Sequence, residues 1–369
     1  RLLQGTQADR WRNLFLTYFD DYLRGSKAPD DEFKDFRNHV LHVADGGWGG
    51  AVAASEQWYA QTVDALRSRN WKQAVYAAGV LSHYLSDPLM PLHTGQSPAE
   101  NNMHRACEWS VSKSYDDLID RLEGELGGFP HVDVPAQDQW LKRLITRNAA
   151  TAHAEYDRVV REYDFARGVK NPPAGLNTSL QNLFARLLGL AVACHARVLQ
   201  RALDESDAQA PWTIPTLTGV LASIQVPIDW VTTKLRDAAE AREVKAMYRE
   251  LQQTGTIERT LPEENRAVRE SYAREVLGTP VTPAQPAAQV SATPSGRAQP
   301  ATSSASGTAI DASHPQILPV ATAPRSVKSP ASKSAAAQAN VPKFYLELED
   351  PVVDAPSIGP KTAKKLQQI

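Results

Sequence analysis

Residues 83 to 108 bring five potential metal ligands into two helix-spaced pairs with a third histidine between them. The stretch reads His83-Tyr84-Leu85-Ser86-Asp87, then Pro91-Leu92-His93, then His104-Arg105-Ala106-Cys107-Glu108. His83 and Asp87 are four residues apart, as are His104 and Glu108, a spacing that places both members of a pair on one helix face. Imidazole nitrogen and carboxylate oxygen, with no thiolate, suit a zinc site that keeps a position open for water. Pro88 and Pro91 are expected to end the first helix just after Asp87 and turn the chain so that it presents His93. Two metals held close together would clamp a phosphate ester and activate water against it.

A single histidine with an acid four residues on is commonly no more than a surface helix pair. Two such pairs with an intervening Pro-x-His, in a chain of only nine histidines, are harder to assign to chance.

The surroundings of these residues resemble a known family. Asn70-Trp71-Lys72-Gln73-Ala74, Gly79, His83 to Asp87 and Pro91-Leu92-His93 look like the zinc-dependent phospholipase C family, whose all-helical fold is shared with the S1/P1 nucleases. The bacterial phospholipases carry His-x-x-x-Asp, then Pro-x-His, then His-x-x-x-Glu, the order found here. The S1/P1 nucleases usually place Asp in the last pair after a Gly-Gly-Asn segment, whereas this chain has Glu108 and no such segment. The resemblance spans roughly residues 8 to 200 and is specific around 70 to 109. It implies an all-α, multi-helix phospholipase C/P1 nuclease-like domain and a zinc-dependent phosphodiesterase. The attacking group would be a metal-activated water, with two or three Zn2+ ions in the complete protein.

Two upstream ligands follow from the same resemblance. Gly25-Ser26-Lys27-Ala28-Pro29-Asp30 resembles the segment whose carboxylate binds a zinc, and Asp30 is also the expected catalytic base that orients water. The next family ligand is a histidine followed three residues later by Asp. His42 with Asp45 fits that pattern and is the expected ligand; His39 is the alternative. The histidine not used is expected to serve as a buried support. The implied set is Asp30, His42, His83 and Asp87 on one zinc, with His93, His104 and Glu108 on the other. A third zinc of the family is held by an N-terminal Trp and a later His, which have no counterpart here. The chain opens at Arg1, and we expect either a piece that begins part-way into the domain and is inactive or feeble by itself, or a natural loss of that metal, which would leave a two-metal enzyme or an inactive relative. The resemblance also leans towards export, to the periplasm or beyond.

Residues 1–205 are expected to form the helical domain, 206–277 a charged helical extension, 278–342 a Pro/Ala/Ser-rich disordered linker, and 343–369 a small helical module. The linker composition offers little to bury against the cost of ordering. Ile358-Gly359-Pro360-Lys361 resembles the tight turn of a helix-hairpin-helix element, which in DNA-binding relatives contacts a phosphate; a protein-contact module is the other possibility.

Net charge is −2 with no basic block in the helical part, which argues against binding polyanions by counterion release alone. No run of roughly eighteen consecutive apolar residues occurs, so no transmembrane helix is expected. Two cysteines, Cys107 and Cys194, are expected to be buried free thiols.

The elements that must position the ligands are predicted as helices over 9–23, 51–68, 71–86, 101–124, 137–165 and 179–205, with a loop over 27–50. Further helices over 228–253 and 264–276 are rich in Glu and Arg and are expected to be solvated, outside the site. His131, His153 and His195 are expected not to be ligands. A phosphate-ester hydrolase acting on phospholipid or another ester is the favoured function. A single-strand nuclease, and a catalytically silent metal-stabilised scaffold whose C-terminal module binds a partner, are the alternatives.

Overall fold

The computed structural model describes residues 6–223 and 230–279. The expected linker falls outside these residues except for Gly278 and Thr279, and the module at 343–369 falls wholly outside them. Helices follow in the order α1 (Thr6–Thr17), α2 (Phe19–Ala28), α3 (Ala51–Arg67), α4 (Trp71–Ser86), α5 (Pro98–Asn101), α6 (His104–Lys113) and α7 (Tyr115–Glu125). After a connection come α8 (Trp140–His153), α9 (Tyr156–Glu162), α10 (Phe165–Gly168), α11 (Thr178–Ser206), α12 (Leu217–Ser223), α13 (Trp230–Thr254) and α14 (Glu263–Glu275). The strands among the described residues are two-residue pieces, β1 (Leu41–His42) and β2 (Trp48–Gly49), paired antiparallel with His42 opposite Trp48. The class is all-α, as expected.

Two large apolar clusters make most of the core, and α11 runs through both. One gathers Leu14, Leu66, Leu81, Leu144, Ile145 and Val198; the other gathers Leu118, Leu122, Leu180, Phe184, Val244 and Met247. Among the described helices, α11 is long and apolar enough by length and composition to cross a membrane. Its apolar content has a packing explanation, since Leu180, Phe184, Leu187, Val198 and Leu203 are all buried in these clusters or beside them. Cys107 and Cys194 are free and buried, as expected.

Three predicted helices are broken where the sequence pattern runs on. The 9–23 stretch bends at Tyr18 (φ −107°, ψ 30°), between α1 and α2. The 101–124 stretch breaks at Ser114, whose hydroxyl donates to the Ser110 carbonyl at 2.8 Å and competes with the helix ladder. The 137–165 stretch breaks at Ala154–Glu155 and again at Tyr163–Asp164. By contrast α4 occupies the predicted span 71–86, with Asp87 as its C-cap and the prolines carrying two 3-10 turns, Asp87–Leu89 and Pro91–His93.

The expectation that 228–276 is solvated is corrected. Val244 and Met247 of α13 are fully buried in the second cluster, and Val268 of α14 packs with Phe36 and Val40. The turn between the two helices is built on a buried carboxylate. Glu250 accepts from the amides of Glu258 (3.1 Å), Arg259 (2.7 Å) and Thr260 (2.7 Å) and from the Thr260 hydroxyl (2.6 Å). Burial alone would raise this carboxyl, but the hydrogen bonds from Thr260, Arg259 and Glu258 outweigh it and bring its pKa down to about 2.

A group depressed in the folded state adds stability above its unfolded pKa and loses it as pH falls through the folded value. Replacing Glu250 by Gln should therefore cost about 1.5–3 kcal/mol in urea unfolding at neutral pH. The gap to wild type should close as the pH is lowered from the ordinary glutamate range towards about 2. A gap that stays constant down to that pH would remove Glu250 from its role.

Candidate metal centre

The site begins with a close approach of two helices. Gly25 on α2 and Gly79 on α4 face each other's backbones: a Cβ on Gly25 would lie 2.2 Å from the Tyr76 carbonyl oxygen, and one on Gly79 2.2 Å from that of Tyr22. This contact brings the Ser26 carbonyl against the far end of α4, where His83 Nδ1 donates to it at 2.9 Å. A carbonyl can only accept, so the proton sits on Nδ1 and the Nε2 lone pair faces the cleft.

The other histidines are fixed in the same manner. His93, delivered by the second 3-10 turn, donates from Nδ1 to the His39 carbonyl at 3.1 Å and turns Nε2 to Glu108 Oε1 at 2.9 Å. His104, at the start of α6, makes a short hydrogen bond from Nδ1 to Glu100 and turns Nε2 to Glu108 Oε1 at 3.2 Å. Glu100 is held for this by a capping box, its own amide bonded to Ser97 Oγ at 3.1 Å and its second carboxylate oxygen facing the Ser97 amide. His39 turns Nε2 towards Asp35 (3.6 Å), a carboxylate held by the Tyr84 hydroxyl at 2.8 Å.

The inward atoms form two groups, Asp30 with His39 and His83, and His93 with His104 and Glu108, each gathered within 4.8 Å. Asp87 joins the first. Its Oδ2 lies 3.2 Å from His83 Nε2 and 3.3 Å from His39 Nδ1, yet it is buried without a hydrogen bond. His83 Nε2 and His39 Nδ1 face one another at 3.2 Å, and Asp30 Oδ1 lies 3.6 and 3.5 Å from them. Lone pairs pointed at lone pairs across such distances repel unless a cation lies between them. An orphaned buried carboxylate oxygen amid neutral imidazoles is the polar set that a divalent N/O-ligand metal satisfies, and these residues fit one.

The electrostatics follow from the same arrangement. Burial pushes the histidines down, but Asp87, Asp30 and the Ser26 carbonyl raise His83 to about 10, and Glu108 and Asp87 raise His93 to about 9. His104 is raised well above the ordinary range by Glu108 and Glu100 against its own burial. Burial likewise favours neutral Glu108 and Asp87, but the neighbouring histidines hold both below the usual range. Asp30, half exposed at the cleft edge, is raised by desolvation more than His83 lowers it. Without a metal the site holds protons in the places that a metal would fill.

Most expected residues are thus together: Asp30, His83, Asp87, His93, His104 and Glu108 line or adjoin one cleft of about 210 Å³. His42 is the correction. It is fully buried three residues beyond His39, and Val43 N is tied to the Thr94 carbonyl at 3.1 Å. Its ring sits between Trp48 (4.7 Å) and Tyr272 (5.0 Å), with neither nitrogen hydrogen-bonded. Burial, helped by the charges of His93 and His153, lowers its pKa to about 3, so it stays neutral. Of the two histidines, it is His39 and not the expected His42 that stands with Asp30 and His83 in a group that could hold a metal. As expected, His131, His153 and His195 lie outside both groups; His131 is exposed beside Asp133 (3.0 Å), and His195 meets Tyr22 Oη at 3.2 Å.

Sequence reasoning missed further cleft residues because they sit on the segments read as solvated or among and beside the expected ligands. Glu264 of α14 lies 3.9 Å from His39 Nδ1; Arg105 pairs with Glu240 of α13 at 3.2 Å; and Trp109 has a buried Nε1 without a partner. All line the cleft. One of two adjacent acids in the first turn of a charged helix, just after Pro262, carries no local signal that could have found Glu264. Comparison with known families, characterised proteins and solved structures finds no match to this chain.

Calorimetric zinc titration of His39→Ala should show loss of one ion, whereas His42→Ala should keep full stoichiometry and lose about 2–4 kcal/mol of stability through its cavity. In wild type at pH 7 the heat should depend on the buffer, with on the order of two protons released as zinc displaces them. The raised imidazoles stabilise the metal-free fold below the ordinary histidine range, and that contribution should be lost as pH rises through about 9 to 10. Full zinc binding by His39→Ala would remove the first group from the site.

Proposed function

We propose that this cleft is the centre of a zinc-dependent phosphodiesterase, phospholipase C-like in its ligand order and fold. The observation that carries the proposal is the convergence of inward-facing imidazole and carboxylate lone pairs from two groups on a cleft with an exposed edge at Asp30. A structural metal site is closed by its ligands, whereas a catalytic one keeps a position for water and substrate. When bound, two divalent cations supply positive charge to the phosphoryl oxygens and acidify water at neutral pH.

The chain's own residues complete the chemistry. Asp30 stands at the solvent edge with a raised carboxyl, suited to take the proton from an attacking water. Arg105, buttressed by Glu240, lines the same cleft and is placed to bind a phosphoryl oxygen. Trp109 Nε1, buried and without an acceptor, is a further donor in that wall for an oxygen of the ester. His93 and His104 keep Glu108 ionised, and His83 does the same for Asp87, so the anionic ligands persist well below neutral pH. The cleft admits a phosphate and the first atoms of its substituents, leaving the bulk of a substrate outside.

After zinc reconstitution the protein should hydrolyse at least one of bis-p-nitrophenyl phosphate, phosphatidylcholine vesicles or single-stranded DNA, and a chelator should stop it. Asp87→Asn keeps size but removes charge, and should lose zinc and at least roughly 100-fold in turnover. Asp45→Asn, beside the support His42, should change turnover little. Stoichiometric zinc with no hydrolysis of any of the three would leave a metal-stabilised scaffold instead.

A further inference from the structure

Glu264 stands where the two ligand groups meet. It is carried there by α14, about two hundred residues downstream of the early ligands, and its placement is built rather than incidental. Lys34 pairs with Glu263 at 2.8 Å, while Arg37 and the Trp48 indole both bind Glu275 at 3.0 and 2.9 Å. Between these ends Val268 packs on Phe36 and Val40, and the Tyr272 ring meets His42 at a tilt. The segment that bears His39 is therefore gripped along the length of α14.

The side chain so positioned has no conventional partner. Its Oε1 is 3.9 Å from His39 Nδ1, beyond hydrogen-bond reach, and that nitrogen already faces Asp30, Asp87 and His83. Glu264 lines the open cleft with Asp30 and His83, and also the adjoining pocket with His93 and His104. A carboxylate among three others, Asp30, Asp87 and Glu108, is repelled by them unless cations lie between. Four carboxylates facing neutral imidazoles balance the charge of two divalent ions, where three would leave an excess positive charge.

We propose that Glu264 is a metal ligand between the two groups, so that the C-terminal helices complete the centre rather than merely adjoin it. This rests on the two-metal reading above.

The test is zinc titration of the full chain, by calorimetry and by competition with a chromogenic chelator, comparing wild type, Glu264→Gln and Glu263→Gln. Glu263 is the control, since it is the neighbouring acid and pairs with Lys34 instead. Gln is isosteric and removes one of four mutually repelling charges, so the metal-free melting temperature of Glu264→Gln should be no lower than that of wild type. We expect one of its two zinc ions to bind at least about tenfold more weakly, the scale of losing one group that tunes a metal. The added zinc should also raise its melting temperature less, with Glu263→Gln unchanged in both respects. Wild-type affinity in Glu264→Gln, or an equal loss in Glu263→Gln, overturns the ligand assignment alone. Failure of wild type itself to bind zinc overturns the two-metal reading and the assignment with it.

Discussion

The arrangement depends on the commitment of each imidazole's outer nitrogen. Three histidines give one ring N–H to an acceptor that cannot reciprocate: the Ser26 carbonyl, the His39 carbonyl and the Glu100 carboxylate. Once those protons are placed, the inner nitrogens can present only lone pairs, and they present them to carboxylates that also have nothing to donate. Positive charge must enter the cleft for the fold to be at ease there, whether as protons or as metal. The raised histidines and lowered Glu108 express the first option. The second replaces several protons by a few ions of fixed geometry.

Much of the helical framework can be seen as holding those acceptors still. The Gly25–Gly79 contact lets α2 and α4 touch backbone to backbone, and any side chain at either position would push Ser26 away from His83. The proline-led turns after α4 move the chain from one group to the other within a few residues, and the His39 carbonyl ties the first group to the second through His93. The capping box at Ser97 serves a helix of four residues, too short to need one for its own sake, but it fixes the carboxylate that orients His104. Behind these pieces α11 joins the two apolar clusters, so the helices that carry the cleft residues rest on one continuous support.

The sequence was informative where the chemistry is local. The span of α4, the two four-residue pairs and the intervening His93 depend on helix period and proline stereochemistry, which neighbouring residues determine among themselves. Helix breaks at Tyr18, Ser114 and Ala154 were invisible because the apolar pattern continues across them and only tertiary packing selects the bend. The charged helices 230–254 and 263–275 misled for a similar reason. Their Glu and Arg content reads as solvent-facing, yet Arg105–Glu240, Lys34–Glu263 and Arg37–Glu275 turn those charges into docking contacts with partners far away in sequence. The buried Val244 and Met247 are too few to mark α13 as a core element by periodicity alone.

His39 and His42 show how far residue type falls short of role. Both are buried, both lie in the same short connection, and each has an acid within four residues, Asp35 before His39 and Asp45 after His42. The difference is what the two-residue strands do between them. The turn at Gly46 and Gly47, with φ of 67° and 77°, folds Trp48 back beside His42, and α14 adds Tyr272 on its other side. Enclosed by aromatic faces, that ring gives up a proton readily and remains neutral, a packing element with polar atoms. His39, just before the strand, instead meets Asp30, Asp87 and His83 with one nitrogen and Asp35 with the other. The wall that encloses the first is completed by Tyr272 of α14, and the carboxylates beside the second come from Asp30, Asp35 and Asp87. No spacing rule confined to residues 39–45 could have told the two histidines apart, because the contacts that distinguish them come from Asp30, Asp87 and α14.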